Sequence, residues 1–260
     1  LGSAQISRAG EILQSLPEDV AEAARDPRQA VAVIYALLLA DDPAIREKQL
    51  EIIHKRENET SVARLKTLLP QIQPLAQELR LPLLDLTLPS LKQLSADQYY
   101  NLIETIEKLS DCDEDFSIFE FALVKVLQRN LKPHFQKKKQ RPTVHYYAAA
   151  GLSPEISVLL SALAHCSDVD PQRAFKAGRA YFPNLSLNLI PEKASALKQV
   201  DAALDKFDTT SFPVKREFLA SALAVIASDG VINPTEAELF RAIAASLDCP
   251  MPPIAQPAKV

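Results

Sequence analysis

Helical spacing of the apolar residues dominates this chain, and it constrains the fold more than any other feature. Around residue 105 the spacing is carried by Tyr99, Leu102, Ile103, Ile106 and Leu109, which fall on one face of a helix. We find no convincing stretch that alternates apolar and polar residues as a half-buried strand does. The chain also has only 5 glycines in 260 residues, whereas α/β enzymes need glycine in phosphate loops and strand-to-helix corners. The sequence therefore predicts an all-α, multi-helix bundle of about a dozen helices.

The 19 prolines predict where helices begin or bend. Asp42-Pro43 and Asp26-Pro27 are typical of an N-cap followed by proline at the first helical position. Pro70, Pro82 and Pro89 indicate further helix starts or kinks. The predicted helices lie at roughly 5–17, 27–41, 43–57, 59–69, 72–79, 82–94, 96–110, 117–131, 144–150, 154–166, 171–181, 191–206, 212–228 and 234–247.

The two ends of the chain suggest that it is part of a longer protein. It begins Leu1-Gly2-Ser3 and has its single methionine at position 251, so we expect residues 1–3 to be a cloning scar. We then expect an N-terminal helical region over 4–94 and a second helical region over 95–250. An irregular tail follows over 251–260.

Composition excludes several classes of protein. A net charge of −4 with 47% hydrophobic and 24% charged residues is typical of a soluble globular protein and not of a disordered chain. The apolar run from Ala30 to Ala40 is shorter than the roughly 20 residues that cross a bilayer. Cys112, Cys166 and Cys249 are widely spaced and odd in number, which favours reduced thiols in a reducing compartment over a disulfide framework.

One stretch is basic while the rest of the chain is acidic. Its six bases are Arg129, Lys132, Lys137, Lys138, Lys139 and Arg141. Without them, 23 basic residues stand against 33 acidic ones, so an extended field that would attract nucleic acid is absent. Two interpretations remain open. The stretch is either a solvated loop between helical layers or a patch drawn to an anionic membrane surface, worth about 1 kcal/mol per basic residue.

A short acidic motif occurs twice, 116 positions apart. The first copy runs from Asp113 to Glu120 and the second from Asp229 to Glu236. Each has an aspartate, an apolar residue three positions later, then serine or asparagine, and a glutamate three positions after that. Apolar positions of the preceding and following segments match at the same offset. The sequence therefore predicts two related helix–acidic loop–helix units.

Two interpretations of the motif also remain open. Ser117 with Glu120, and Asn233 with Glu236, have the spacing of capping boxes. Capping does not require the aspartates four residues before the cap, however, and carboxylates there are suitable ligands for a hard cation. Asp113, Glu120, Asp229 and Glu236 are thus candidate ligands of a divalent ion. The spacing is not that of an EF-hand, because Phe116 replaces the loop glycine and Ala122 the bidentate glutamate.

Catalytic motifs are absent from the sequence. It contains no H-E-x-x-H, no G-x-S-x-G and no phosphate-binding G-x-x-x-x-G-K-[ST]. The four histidines (His54, His134, His145 and His165) have no partners at ligand spacing. Cys166 next to His165 stays open as a reactive pair, although adjacent helical side chains point about 100° apart. We assign no catalytic residue and no cofactor-binding residue.

The second acidic loop resembles a known family. Residues 224–236, reading Ala-Val-Ile-Ala-Ser-Asp-Gly-Val-Ile-Asn-Pro-Thr-Glu, are similar to the tellurite-resistance TerB-like domain, and residues 113–120 are similar to a lesser degree. The resemblance implies an all-helical module whose two acidic loops bind metal ions. It gives one functional hypothesis, a metal-binding module that acts as a stress-response sensor or scaffold.

A longer resemblance covers most of the chain. The segments Ala23–Leu39, Leu81–Ser95, Phe119–Leu123 and Leu160–Ala164 are similar to the region after the protease domain in bacterial membrane zinc metallopeptidases of the HtpX type. It implies a parent zinc endopeptidase, with the zinc and the membrane spans upstream. This chain would then be a non-catalytic regulatory or protein-interaction domain on the cytoplasmic face of the inner membrane. Its partner would be a protein or a substrate of the parent, and its oligomeric state is open.

Overall fold

The computed structural model describes residues 14–112, 117–136 and 143–249, and it confirms the all-α prediction. It is 72% helical, with 12 α-helices and no strand among these residues. An isolated bridge joins Tyr146 to Thr210. None of the described helices combines the length and the apolar character that crossing a membrane requires.

The chain forms two compact units, Leu1–Lys138 and Lys139–Val260. The described helices of unit 1 are α1 (Glu18–Arg25), α2 (Ala30–Leu38), α3 (Pro43–Arg56), α4 (Glu59–Ile72), α5 (Gln77–Leu91), α6 (Ala96–Ser110) and α7 (Ile118–Phe135). Those of unit 2 are α8 (Ser153–His165), α9 (Pro171–Arg179), α10 (Leu197–Asp208), α11 (Phe212–Ile226) and α12 (Pro234–Ser246), with 3₁₀ turns at Ala149–Leu152 and Glu192–Ala194. This division differs from the boundary predicted between 94 and 95, because α6 packs on α2 and α3 and α7 packs on α5.

Unit 1 is built around α2. All of its residues except Val31 are buried, and it packs against α1, α4, α5 and α6, as expected for a helix that is apolar on every side. The Gln49 side chain, 1% exposed, joins the ends of two helices. It accepts a hydrogen bond from the Ala40 amide at 2.8 Å and donates one to the Leu109 carbonyl at 3.3 Å.

Unit 2 is built around α8, which packs against each of the other four helices of that unit. One face of α8 also holds an extended segment. Ser157 Oγ and Ser161 Oγ accept hydrogen bonds from the amides of Asn188 and Ile190 at 3.3 and 3.0 Å, and the His165 ring lies 2.8 Å from the Ile190 carbonyl oxygen. A 3₁₀ turn at Glu192–Ala194 follows this segment, so α10 begins at Leu197 and not at the predicted residue 191.

The proline-based helix boundaries were partly wrong. Pro82 and Pro89 lie inside α5 and Pro70 lies inside α4, so one helix replaces the two predicted over 72–79 and 82–94. A proline inside a helix costs about 3 kcal/mol, and α5 offsets this by burying six residues on the core. Asp26 is not an N-cap, since α2 begins four residues later. Its carboxylate accepts from the Arg28 amide and the Gln29 side chain.

Two other predicted helices also differ from the structure. The helix predicted over 144–150 is replaced by an irregular segment and a 3₁₀ turn. The helix predicted over 5–17 lies mostly outside the described residues, and the sequence prediction missed α1. None of the three cysteines forms a disulfide, and each is of intermediate exposure.

Candidate functional site

Both acidic motifs form capping boxes, as their spacing predicted. In the first, the Glu120 amide donates to Ser117 Oγ at 3.2 Å and the Ser117 amide donates to Glu120 Oε2 at 2.8 Å. In the second, the Glu236 amide donates to Asn233 Oδ1 and the Asn233 amide donates to Glu236 Oε2, both at 2.9 Å. The two motifs therefore begin α7 and α12 by the same local chemistry.

Burial supports the internal repeat beyond the loops. Residues 116 positions apart in α6 and α11, and in α7 and α12 with its C-cap Leu247, occupy equivalent core positions. Both members are buried in the pairs Leu102 and Phe218, Thr105 and Ser221, Leu109 and Val225, Leu123 and Leu239, and Leu131 and Leu247. The helix–acidic loop–helix unit thus occurs once in each compact unit.

The first acidic loop offers few ligands among the described residues. Glu120 is half-buried and uses one oxygen for the cap. Asp113, the other candidate ligand of this copy, lies outside the described residues, as does Phe116.

The second acidic loop is packed against the C-terminal end of α8. Asn233 Nδ2 donates to the Cys166 carbonyl at 2.9 Å, so the N-cap of α12 also satisfies one of the last carbonyls of α8. Glu236 is 1% exposed, and its Oε1 is buried without a hydrogen-bond partner. Asp229 Oδ1 accepts from the Val231 amide at 2.9 Å, and Gly230 between them has a φ of +88°.

Burial and neighbouring carboxylates determine the electrostatics of Glu236 at this junction. Burial raises the pKa of the Glu236 carboxyl, the nearby carboxylates of Asp229 and Asp168 raise it further, and the Asn233 amide and the Ser167 hydroxyl offset part of that rise. The Ser167 contact is not a hydrogen bond of regular geometry, because its Oγ is also buried without a partner. Glu236 is therefore a buried acid that attracts a proton or a cation.

The structure does not bring the four predicted metal ligands into one described cluster. No group of three or more His, Cys, Asp or Glu side chains is arranged to hold a metal ion among the residues that the structure describes. Asp229 and Glu236 lie near each other in unit 2. Glu120 belongs to unit 1. Metal binding at the acidic loops stays a prediction.

The adjacent His165 and Cys166 do not have the chemistry of a catalytic pair. Burial, with the carboxylates of Glu236 and Glu192, raises the pKa of Cys166 to about 12, so the thiol does not ionise near neutral pH. The His165 ring is engaged with the Ile190 carbonyl. Nothing in this geometry activates a nucleophile.

Only part of the basic stretch is described. Arg129 is half-buried and Lys132 is exposed, both in the C-terminal half of α7. The other four candidates for an anionic surface, Lys137, Lys138, Lys139 and Arg141, lie outside the described residues. Attraction to an anionic membrane stays a prediction.

A groove between α6 and α7 was not predicted from the sequence. It has a volume of about 210 Å³, and its apolar walls are formed by Ile103, Ile106, Val124 and Leu127. Val124 is half-buried, whereas Phe240, its equivalent in the second copy, is 1% exposed. That difference in side-chain size at offset 116 is the sequence signal that would have indicated the groove.

Comparisons of the chain with protein-family models, with curated proteins and with solved structures give no match.

Proposed function

We propose that this chain is a non-catalytic protein-interaction domain that binds an amphipathic helical segment in the groove between α6 and α7. The observation that carries the proposal is an open apolar groove of about 210 Å³ between two helices. Packed helix pairs with a gap between them bind partner helices through apolar anchor residues at helical spacing.

The size of the groove suits side chains and not a large ligand. A cavity of roughly 150 Å³ with apolar walls holds one benzene ring, so 210 Å³ has room for one or two aliphatic or aromatic anchors. Val124 is the wall residue whose enlargement would close the groove, because the second copy has the bulkier Phe240 at the equivalent buried position.

Peptide binding tests the proposal. The probe is a fluorescein-labelled, hydrocarbon-stapled helix of about 16 residues, neutral outside its apolar face, with leucines at helical spacing. We expect saturable binding to the chain by fluorescence anisotropy. Val124→Phe fills the groove with the side chain that the second copy uses, and should weaken binding at least about tenfold.

Two controls make the result decisive. Lys55→Ala changes an exposed residue of α3 that does not line the groove and should leave peptide affinity unchanged. The helical circular dichroism and melting temperature of Val124→Phe should match wild type. Absence of saturable binding, or equal binding by wild type and a folded Val124→Phe protein, would contradict the proposal.

The wider assignment is a regulatory domain of an HtpX-type membrane zinc metallopeptidase. It is supported by the sequence similarity of residues 23–39 and 81–95 to that family. In that setting the bound helix would belong to a substrate or to a regulatory protein on the cytoplasmic face. The natural sequence upstream tests this directly. An H-E-x-x-H helix flanked by membrane spans would support it, and a different upstream domain would contradict it.

A second candidate function is divalent-ion binding at the second acidic loop, in line with the TerB-like resemblance. The buried Glu236 Oε1 without a partner, close to Asp229 and Asp168, favours it. Titration calorimetry with Ca²⁺, Mg²⁺, Mn²⁺ and Zn²⁺ is the test. Binding that Asp229→Asn removes would support the site, and no heat together with an unchanged melting temperature would exclude it.

A further inference from the structure

The charged residues that line the groove between α6 and α7 are both acidic. The two charged residues that line it are Glu107 and Asp111, and both are exposed. Asp111 is the C-cap of α6, where the helix dipole adds partial negative charge. One end of the apolar groove is therefore electronegative.

We propose that the groove selects a basic amphipathic helix, whose apolar anchors occupy the walls while a lysine or arginine next to them lies against Glu107 and Asp111. The proposal rests on the proposed function and adds the charge of the partner. A guanidinium or ammonium group has donors for both carboxylates. An acidic helix would place like charges together at the same end and would be rejected.

The test compares three stapled helices of about 16 residues with the same leucine face. They carry arginine, glutamine or glutamate at the positions that flank this face at both ends. The arginine peptide would form two exposed ion pairs with the groove, whereas the glutamate peptide would be repelled there. We therefore expect the arginine peptide to bind the wild-type chain about tenfold more tightly than the glutamate peptide. The ratio should shrink as salt is added, because these charges are exposed.

Charge reversal in the groove provides the matched control. In Glu107→Lys/Asp111→Lys the preference should invert, so that the glutamate peptide binds more tightly than the arginine peptide.

The outcomes separate this inference from the proposed function. If all three peptides bind equally and Val124→Phe abolishes binding, the helix-binding groove stands and its charge selection is wrong. If the arginine peptide binds best but the double variant does not invert the order, the charge selection is also wrong. If no peptide binds, both proposals fail.

Discussion

The second helix of each helix–acidic loop–helix unit begins with a capping box, but the two units differ in what packs against them. On α6, the buried Thr105 accepts a hydrogen bond at 2.8 Å from Nε of Arg56 in α3. On α11, the equivalent Ser221 donates to the Gly178 carbonyl of α9 at 2.9 Å. Thr105 and Ser221 thus occupy equivalent positions of the repeat, but Thr105 bonds a charged side chain of another helix and Ser221 bonds a helix backbone.

The same contrast applies at the caps and at the helix interfaces. Glu120 is half-buried, whereas Glu236 is buried against the end of α8. The α6–α7 pair leaves a groove beside Val124, whereas Phe240 is buried in α12. A capping motif therefore specifies where a helix begins, and the neighbouring helices decide whether its glutamate and its flanks are available to a ligand.

The close approach of α9 to α11 gives the largest expected effect. A Cβ at Gly178 would lie 2.5 Å from Val225 Cγ2 and 3.0 Å from the Ser221 carbonyl oxygen. We expect Gly178→Ala to lower the free energy of unfolding of unit 2 by about 1–3 kcal/mol, because overpacking exceeds the gain in helix propensity. Hydrogen exchange read by mass spectrometry measures the two units separately.

A double-mutant cycle with Val225→Ala identifies the clash as the cause. Removing the two methyl groups of Val225 makes room for the new Cβ, so Gly178→Ala should cost less in that background than in wild type. If Gly178→Ala lowers the free energy of unfolding equally in both backgrounds, the clash with Val225 is not the reason that this position requires glycine.

The equivalent hydroxyls of α6 and α11 should have unequal importance. Thr105→Val removes the acceptor of a guanidinium N–H that is only partly exposed, which we expect to cost about 1–3 kcal/mol in unit 1. Ser221→Ala should cost about 0.5–1.5 kcal/mol in unit 2, because the Gly178 carbonyl still accepts from the Tyr181 amide at 3.1 Å. Equilibrium denaturation monitored by circular dichroism checks the order, and a larger cost for Ser221→Ala would reverse the comparison.

Local features of this fold were predictable and non-local ones were not. The capping boxes depend on residues three positions apart, and helix content depends on apolar spacing, so both were confirmed. Pro82 and Pro89 were misjudged because burial of α5 offsets a local penalty. The extended segment at Asn188 and Ile190 was missed because its hydrogen bonds come from α8, about 30 residues earlier in the chain.

The candidate sites follow the same rule. The sequence indicated Glu236 as a cap and a candidate ligand, but it did not indicate that Glu236 is buried, beside an Asn233 that bonds the Cys166 carbonyl 67 residues away. The groove depends on the space between α6 and α7, and no motif encodes it. Only the comparison of Val124 with Phe240 carries a sequence signal for it.

The glycine of the second acidic loop gives a smaller effect. Gly230 has a φ of +88°, and a Cβ there would meet nothing within 4 Å, so a substitution is opposed by backbone strain alone. We expect Gly230→Ala to lower the free energy of unfolding of unit 2 by about 1 kcal/mol, and Gly230→Asn to lower it by less. An equal loss for alanine and asparagine would indicate that an unseen contact, and not the left-handed backbone, requires glycine.

The smallest expected effect is a change with pH in the contribution of Glu236 to the free energy of unfolding. This pH dependence distinguishes the buried glutamate from an ordinary capping residue. The pKa of Glu236 is raised above its usual 4.5 by burial and by Asp229 and Asp168, so the folded state keeps a proton where the unfolded state has lost it. This contribution to the free energy of unfolding is therefore present at acid pH and is lost as the pH rises from 4.5 through the raised pKa. Glu236→Gln still accepts the Asn233 amide but does not titrate.

The stability difference between wild type and Glu236→Gln should accordingly fall as the pH rises from about 4.5 toward neutral. Asp229→Asn provides the matched control, because it removes one of the like charges and keeps the size of the side chain. In that background the fall should be smaller, since Glu236 then titrates closer to its usual value. Urea denaturation at a series of pH values measures both slopes. A difference that stays flat with pH would mean that Glu236 behaves as a local cap and that the two acidic loops differ in packing but not in charge.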